Sequence, residues 1–347
     1  MSAGKLVLVT GASGYLGAHC VKTLLEKGYR VRGTVRSLNN EKKVAPVKLL
    51  DPTGQNLSLV EADLNEKQGW PSAVAGCDFV LHVASPFPLV GTEETIKTAV
   101  AGTMNVLEAC AEAESVEKVV LTSSVAAITE GHLHVDAPLN EDYWSKPEEA
   151  PAYPKSKTMA ERAAWDFVKQ KGHKNNFALT VINPGFIIGP PITDDKGSSV
   201  DIVTQILSLP ALPRITLSMI DVRDCAAAHV AALTSTDSDG QRVICCSEDS
   251  AFMIDVAHAL RKEFGDQGYC PANYQIPDWI VRFGAHFNAT MAGIAPRLGR
   301  KIRFDNSRLR NVLGITPRDP LKSVVEMVYE LIERGHIKRT SKYRGKP

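Results

Sequence analysis

A strand that runs straight into three glycines and then into a helix constrains this chain more than any other feature. Residues 5–10 (KLVLVT) form a short apolar, β-branched run, followed at once by Gly11-Ala12-Ser13-Gly14-Tyr15-Leu16-Gly17 and an amphipathic stretch over 19–27 that stops at Gly28. In a dinucleotide-binding unit the first glycine turns the chain off the strand, the second lets backbone approach a pyrophosphate, and the third lets helix and strand pack closely. The helix N-terminus behind the loop offers free N–H groups and a partial positive charge to phosphates. Position between strand and helix, near the N-terminus, makes the three glycines specific. Gly11, Ser13, Gly14, Tyr15 and Gly17 are the expected pyrophosphate contacts.

The pattern then repeats. Strands are predicted over 30–35 (RVRGTV), 57–62, 78–83, 118–123 (KVVLTS) and 178–183, with helical spacing over 93–113 and 156–171, the latter ended by Gly172. Apolar runs alternating with helices imply right-handed crossovers and a parallel sheet covered on both faces. The expected fold is α/β, a Rossmann-type doubly wound parallel sheet with a smaller, mainly helical C-terminal lobe. After Gly189 the texture changes, with Pro190, Pro191 and an Asp194-Asp195-Lys196-Gly197 turn. Residues 214–220 and 242–246 still read as strands of the main sheet, around a helix at 224–233, and the chain from 250 onward reads as helical and aromatic. The expected division is a cofactor core over 1–185, to which 214–248 returns, and a substrate lobe from 186–213 and 249–347. The basic tail 338–346 reads as a solvated end.

Composition narrows the class. With 347 residues, 40 Lys plus Arg against 39 Asp plus Glu and a net charge of +1, nothing favours nucleic acid or an anionic membrane surface as partner. No apolar run approaches the roughly 18 residues a membrane helix needs, and the N-terminus does not read as a secretory signal. Seven scattered cysteines without a CxxC pair predict neither disulfides nor a zinc site, but small buried side chains in a reducing, cytoplasmic setting.

Two features speak to chemistry. Where NAD-selective folds carry an acid at the end of the second strand, this chain reads Gly33-Thr34-Val35-Arg36-Ser37, with Lys42 and Lys43 beyond. A planar, permanently charged guanidinium suits a ribose 2′-phosphate, so NADPH/NADP+ is the expected cofactor. Among 8 tyrosines only Tyr153 has a lysine four residues on, Lys157. On a helix the two share a face, and an ammonium beside a phenol is expected to lower the phenol's pKa from ~10 toward working pH. About thirty residues upstream, a strand ends in Thr122-Ser123-Ser124, whose hydroxyls suit a carbonyl oxygen.

The ordered set VTGASGYLG, ADL (62–64), HVASP (82–86), TSS (122–124), YPKSK and NPGFIIGPP (183–191) resembles the extended short-chain dehydrogenase/reductase family, in its dihydroflavonol 4-reductase and cinnamoyl-CoA reductase-like branch. TVRS after the second strand, NEDYWS (140–145) and FDNSRLRNVLGITPRDPLKSVVEMV strengthen the resemblance, which spans nearly the whole chain. It implies that Arg36 and Lys43 hold the 2′-phosphate and that Asp63 and Leu64 flank the adenine. Val83, Ala84, Ser85 and Thr122 would line the cofactor, Pro184, Gly185 and Ile187 would pack near the nicotinamide, and Ser199 would touch the 2′-phosphate side. Ser124 would orient a carbonyl, Tyr153 would donate a proton, and Lys157 would hold the nicotinamide ribose and tune Tyr153. Asn105 is expected to be structural. The chain differs from its branch at Thr129, where dihydroflavonol reductases carry Asn or Asp, and at APAYPKSK, where cinnamoyl-CoA reductases carry NWYCYGK.

The resemblance implies an NADPH-dependent reductase of aldehydes or ketones with no metal. Residues 126–152 and 186–209 would be pocket walls or lid, and some of Phe186, Ile187, Trp279, Phe283 and Phe287, each otherwise a core residue, would accept an apolar or aromatic substrate. A hydroxysteroid-type dehydrogenase/isomerase or NAD-linked epimerase is the alternative enzyme, weakened by Arg36 and by INPGFIIGP in place of the epimerase RYFNVYGP. A non-catalytic NADP(H)-binding regulator would not need the Ser124–Tyr153–Lys157 set. The expected partner is a small carbonyl compound, with the chain a monomer or homodimer.

Overall fold

A computed structural model describes residues 4–85, 92–171, 177–194 and 197–346. Pro86, the predicted helix stop Gly172, and Asp195 and Lys196 of the predicted turn lie outside the described residues.

The central element is a parallel sheet of seven strands. Six come in sequence: β1 (Leu6–Val9), β2 (Arg30–Val35), β3 (Leu57–Glu61), β4 (Phe79–His82), β5 (Lys118–Thr122) and β6 (Ala178–Pro184). The seventh, Arg242–Cys245, lies on the outer side of β6, giving the order β3-β2-β1-β4-β5-β6 and then the late strand. β1 and β4 are buried at every residue, as expected of strands covered on both faces. One apolar layer joins β1, helix α1 (Tyr15–Glu26) and a later helix, Val222–Ala232. The opposite layer packs Leu8, Val80 and Val119 against Trp70, Leu107 and Phe167, from α3 (Trp70–Val74), α4 (Glu93–Glu112) and α6 (Ala152–Lys171). The remaining core helices are α2 (Glu41–Lys48) and the single turn α5 (Ala126–Thr129).

A second apolar core lies apart from the sheet. It gathers Val203 and Ile206 of helix Ser198–Ser208, Val256 and Leu260 of helix Met253–Phe264, and Val328 and Leu331 of helix Pro320–Glu333 around Ile188 and Met219. Leu309 and Leu313, late in the chain, pack instead in the first core.

Three readings are corrected. Residues 214–220 do not join the main sheet. They split into Thr216–Leu217, which pairs antiparallel with Ala251–Phe252, and Met219–Asp221, which pairs in parallel with Phe186–Ile188. The segment is held at the end of β6 instead: the Ser218 carbonyl accepts from the Phe186 N–H at 2.6 Å, and lies so near Gly185 that an added Cβ there would meet it at 2.3 Å. The basic tail is docked: Tyr343 donates to Glu333 at 2.9 Å, Lys346 pairs with Glu330 at 3.4 Å, and Arg339 pairs with Glu333. All seven cysteines are free, but only six are buried; Cys270 is exposed.

Candidate active site

The order of the sheet reverses between β1 and β4, and in open α/β sheets a ligand crevice opens outside the carboxyl ends of the strands at such a point. Most predicted site residues follow a strand end: Gly11 after β1, Arg36 after β2, Asp63 and Leu64 after β3, Val83–Ser85 after β4, Ser124 after β5 and Gly185 after β6. Helix α6 brings Tyr153 and Lys157 in its first turns, with Pro154 at a position whose missing N–H costs no helical bond.

The glycine loop is built for close approach. Gly11 has φ +67° and faces Ala84, whose Cβ would lie 3.1 Å from an added methyl. At Gly17 an added Cβ would sit 2.2 Å from the Gly11 carbonyl oxygen, so α1 can pack on its loop only without a side chain there. Gly14 caps α1 without a side-chain hydrogen bond, leaving the N-terminus to its backbone donors. These features fit a dinucleotide pyrophosphate. Ser13 lends its carbonyl to the Thr193 hydroxyl at 3.5 Å. Tyr15 is buried and donates to the Gly189 carbonyl at 2.6 Å, tying α1 to the segment after Phe186–Ile188. Gly197, just before Ser199, approaches the Tyr15 side chain, so the half-buried Ser199 stands near the loop.

Arg36 is exposed directly beyond β2, and Lys43 is half-buried in α2. Sequence reading missed a carboxylate here. Glu61, at the end of β3 beside Val35, accepts from the Leu38 N–H at 2.7 Å and holds the 36–39 turn in place. Asp63 closes its own turn on Asn65 at 2.9 Å, and its carbonyl accepts from Trp70. Leu64 packs on Gly102, and Asn105 donates to its carbonyl at 3.0 Å, the structural part expected of that asparagine.

Tyr153 and Ser124 are hydrogen-bonded through their side chains, and the Ser124 Oγ also accepts from the Ala126 N–H at 3.1 Å. Lys157 is buried and donates to the Ser85 Oγ at 3.0 Å. The four side chains thus link the ends of β4 and β5 to α6. Ser123 is drawn away, its hydroxyl donating to buried Glu161 at 2.5 Å, which separates the adjacent serines by environment. Thr122 donates to His229 at 2.7 Å, because the other ring nitrogen of that histidine must donate to the Cys225 carbonyl.

The electrostatics correct one expectation. Burial pushes the Tyr153 phenol up to about 12, with the Ser124 bond opposing, rather than toward neutrality as a lysine neighbour suggested. Burial also brings Lys157 down to about 8, against the pull of Glu161. His82, behind Lys157 and 2.9 Å from the Thr10 hydroxyl, is held down at about 3 by burial and by the Lys157 charge. The Thr10 hydroxyl in turn accepts from the Ala84 N–H, fixing the loop that faces Gly11.

Of the predicted apolar lining, Phe186 and Ile187 are half-buried, Phe186 against the second core and Ile187 against the first. Trp279, Phe283 and Phe287 are exposed, at 69%, 66% and 80%, and not part of the core.

The profile of the NAD dependent epimerase/dehydratase family matches residues 7–246. Cinnamoyl-CoA reductase 1 of Petunia hybrida is 33% identical, over 96% of this chain and 94% of its own. Cinnamoyl-CoA reductase CAD2 of Medicago truncatula is 36% identical, over 75% of this chain and 81% of its own. Among solved structures, the yeast methylglyoxal/isovaleraldehyde reductase Gre2 in complex with NADPH superposes with a TM-score of 0.80 at 28% identity, covering 96% of this chain and all of its own.

Proposed function

We infer that this chain, which belongs to the NAD dependent epimerase/dehydratase family and matches reductases within it, is an NADPH-dependent reductase of aldehyde or ketone carbonyls. The observation that carries the reading is the Tyr153–Ser124 hydrogen bond, one helical turn from buried Lys157, at the strand ends beside the glycine loop. NADPH, when bound, supplies the hydride to the carbonyl carbon. Gly11, Ser13, Gly14, Tyr15 and Gly17 would line its pyrophosphate, Arg36, Lys43 and Ser199 its 2′-phosphate, and Asp63 and Leu64 its adenine. Val83, Ala84, Ser85, Thr122, Pro184, Gly185 and Ile187 would flank the rest.

The roles of the reacting residues follow from their environments. Ser124 hydrogen-bonds the substrate oxygen, and Tyr153 protonates it as charge develops there. A phenol held near 12 keeps its proton until the acceptor becomes strongly basic, which suits a donor in reduction. Lys157, brought down by burial only to about 8 and donating to the Ser85 hydroxyl, would orient the ribose. The lobe around helices Ser198–Ser208 and Met253–Phe264 is the proposed substrate side, with a core of its own. No described helix is long and apolar enough to cross a membrane, and seven free cysteines support a reducing, cytoplasmic compartment.

The test is NADPH oxidation across a panel of aliphatic, aryl and dicarbonyl substrates, repeated with NADH. Turnover with NADPH well above that with NADH is expected. Tight NADPH binding without turnover on any carbonyl would instead favour a non-catalytic regulator.

A further inference from the structure

Helix α6 carries Tyr153 and Lys157 at i and i+4 on one face, and the next place on that face is Glu161. Its side chain has no exposure at all, unusual for a carboxylate. Five donors converge on it. Oε1 accepts from Arg242 Nε at 2.5 Å and Trp165 Nε1 at 3.4 Å. Oε2 accepts from Ser123 Oγ at 2.5 Å, Asn183 Nδ2 at 2.9 Å and Arg242 Nη2 at 3.4 Å. The donors come from α6 itself, from the ends of β5 and β6, and from the edge strand Arg242–Cys245. Asn183 also donates to the Ser124 carbonyl at 3.2 Å, so Glu161 grips the Ser124 turn from both sides, through the adjoining Ser123 hydroxyl and through Asn183.

We propose that Glu161 is a positioning residue for the reduction inferred above, fixing the Ser124 turn against α6 and supplying the negative charge that faces Lys157 from behind. The proposal rests on the reductase reading. A carboxylate used only for packing would not need to sit one turn behind the lysine. Arg242 pairs with Glu161 from the edge strand, and His82, held neutral, faces Lys157 from β4, so Glu161 is the negative group among the described residues acting on Lys157. Its charge favours the protonated lysine against the cost of burial.

The test compares full-length wild type, Glu161→Gln, Glu161→Asp and Tyr153→Phe, reading kcat and the pH profile of kcat/KM at saturating NADPH, with NADPH affinity by titration. Glu161→Gln keeps the shape and removes the charge. Lys157 would then lose its proton at lower pH, so the alkaline limb should move acidward by roughly half a pH unit or more. The kcat should fall by about tenfold, as for a misplaced positioning contact, with NADPH affinity little changed. Glu161→Asp keeps the charge on a shorter arm, so kcat should fall with the limb in place. A kcat loss in Glu161→Gln without movement of the limb would mean packing alone and would overturn the proposal, as would wild-type kcat. Should Glu161→Gln fail to fold, Glu161→Asp and Ser123→Ala decide by a split that a structural role would not give: kcat reduced with KM, NADPH affinity and unfolding free energy near wild type supports the proposal, and wild-type kcat, or a kcat that falls only in step with lost stability, overturns it. Wild-type turnover in Tyr153→Phe would fail the reductase reading itself, whereas an inactive Tyr153→Phe beside an unaltered Glu161→Gln fails only the positioning.

Discussion

Removing Arg242 should unfold this protein more readily than almost any other single truncation, because of what it would leave behind. The guanidinium is nearly buried, pairs with Glu161 at 2.5 Å, donates to the carbonyls of Glu141 at 2.7 Å and Tyr143 at 2.6 Å, and stacks 3.8 Å from the Trp144 ring centre. Arg242→Ala leaves a carboxylate with no exposure and without its direct ion-pair partner, a change that typically costs ~3–5 kcal/mol. The stacking adds ~1–2 kcal/mol, and the orphaned carbonyls ~1–3 kcal/mol between them. These terms share one network and do not add fully, so the working figure is ~4–6 kcal/mol, against a total domain stability of ~5–15 kcal/mol. Arg242→Lys, which keeps the charge but not the fork, should lose about half as much. The assay is urea unfolding followed by tryptophan fluorescence and far-UV circular dichroism, with the m-value checked for constancy. A loss under ~1 kcal/mol for Arg242→Ala would refute the reasoning, since breaking a buried ion pair should cost more than that even with Ser123, Asn183 and Trp165 still donating to Glu161.

Three further outcomes are expected. Arg36→Ala should weaken NADPH binding ~10-fold or more, as for a lost charge-assisted contact, and leave NADH affinity unchanged; equal losses in a fluorescence titration would remove Arg36 from the 2′-phosphate site. His19 and His229 are lowered to about 4 and His82 to about 3, first by burial. Their folded pKa values lie below the unfolded ~6.5, so the stability they contribute is full above ~6.5 and is lost as pH falls from there through the folded values. Unfolding free energy measured between pH 6.5 and 4 should therefore fall with decreasing pH, and His82→Gln should reduce that slope by about one proton; an unchanged slope would contradict it. A thiol reagent should label Cys270 rapidly in the native protein and the six buried cysteines only on unfolding, which counting labels by mass tests directly.

The parallel core was legible because strands covered on both faces leave unbroken apolar runs, and β2 emerged at its observed bounds, 30–35. Helix α1 starts at Tyr15, four residues before the predicted start, because Gly17 reads as loop in sequence although it lies inside the first turns of the helix, where a side chain would meet the Gly11 carbonyl. The misassignment of 214–220 has a different origin: a two- or three-residue strand shows apolar character but not its partner, here Phe186–Ile188 and Ala251–Phe252 rather than the main sheet. Trp279, Phe283 and Phe287 are apolar in sequence and exposed in space, since composition carries no direction. Of the candidate site, Tyr153 and Lys157 were readable from their spacing, and Ser124 rather than Ser123 only from the family resemblance. The buried hub at Glu161 had a signal as well, its place on the same helical face as Lys157, but its partners Ser123, Asn183 and Arg242 are joined only by the sheet. The raised phenol was not legible, because burial outweighs a nearby charge only once the depth of the site is known.

The most direct measurement of the central claim is steady-state carbonyl reduction by Tyr153→Phe beside NADPH titration of the same variant. The ring and its packing remain, and only the hydroxyl that meets Ser124 is removed. The proton-donor role predicts a kcat lowered by ~10²–10⁴-fold, the range for loss of a general acid, with NADPH affinity close to wild type. Turnover near the wild-type rate would contradict the assignment of Tyr153 as the group that protonates the substrate oxygen.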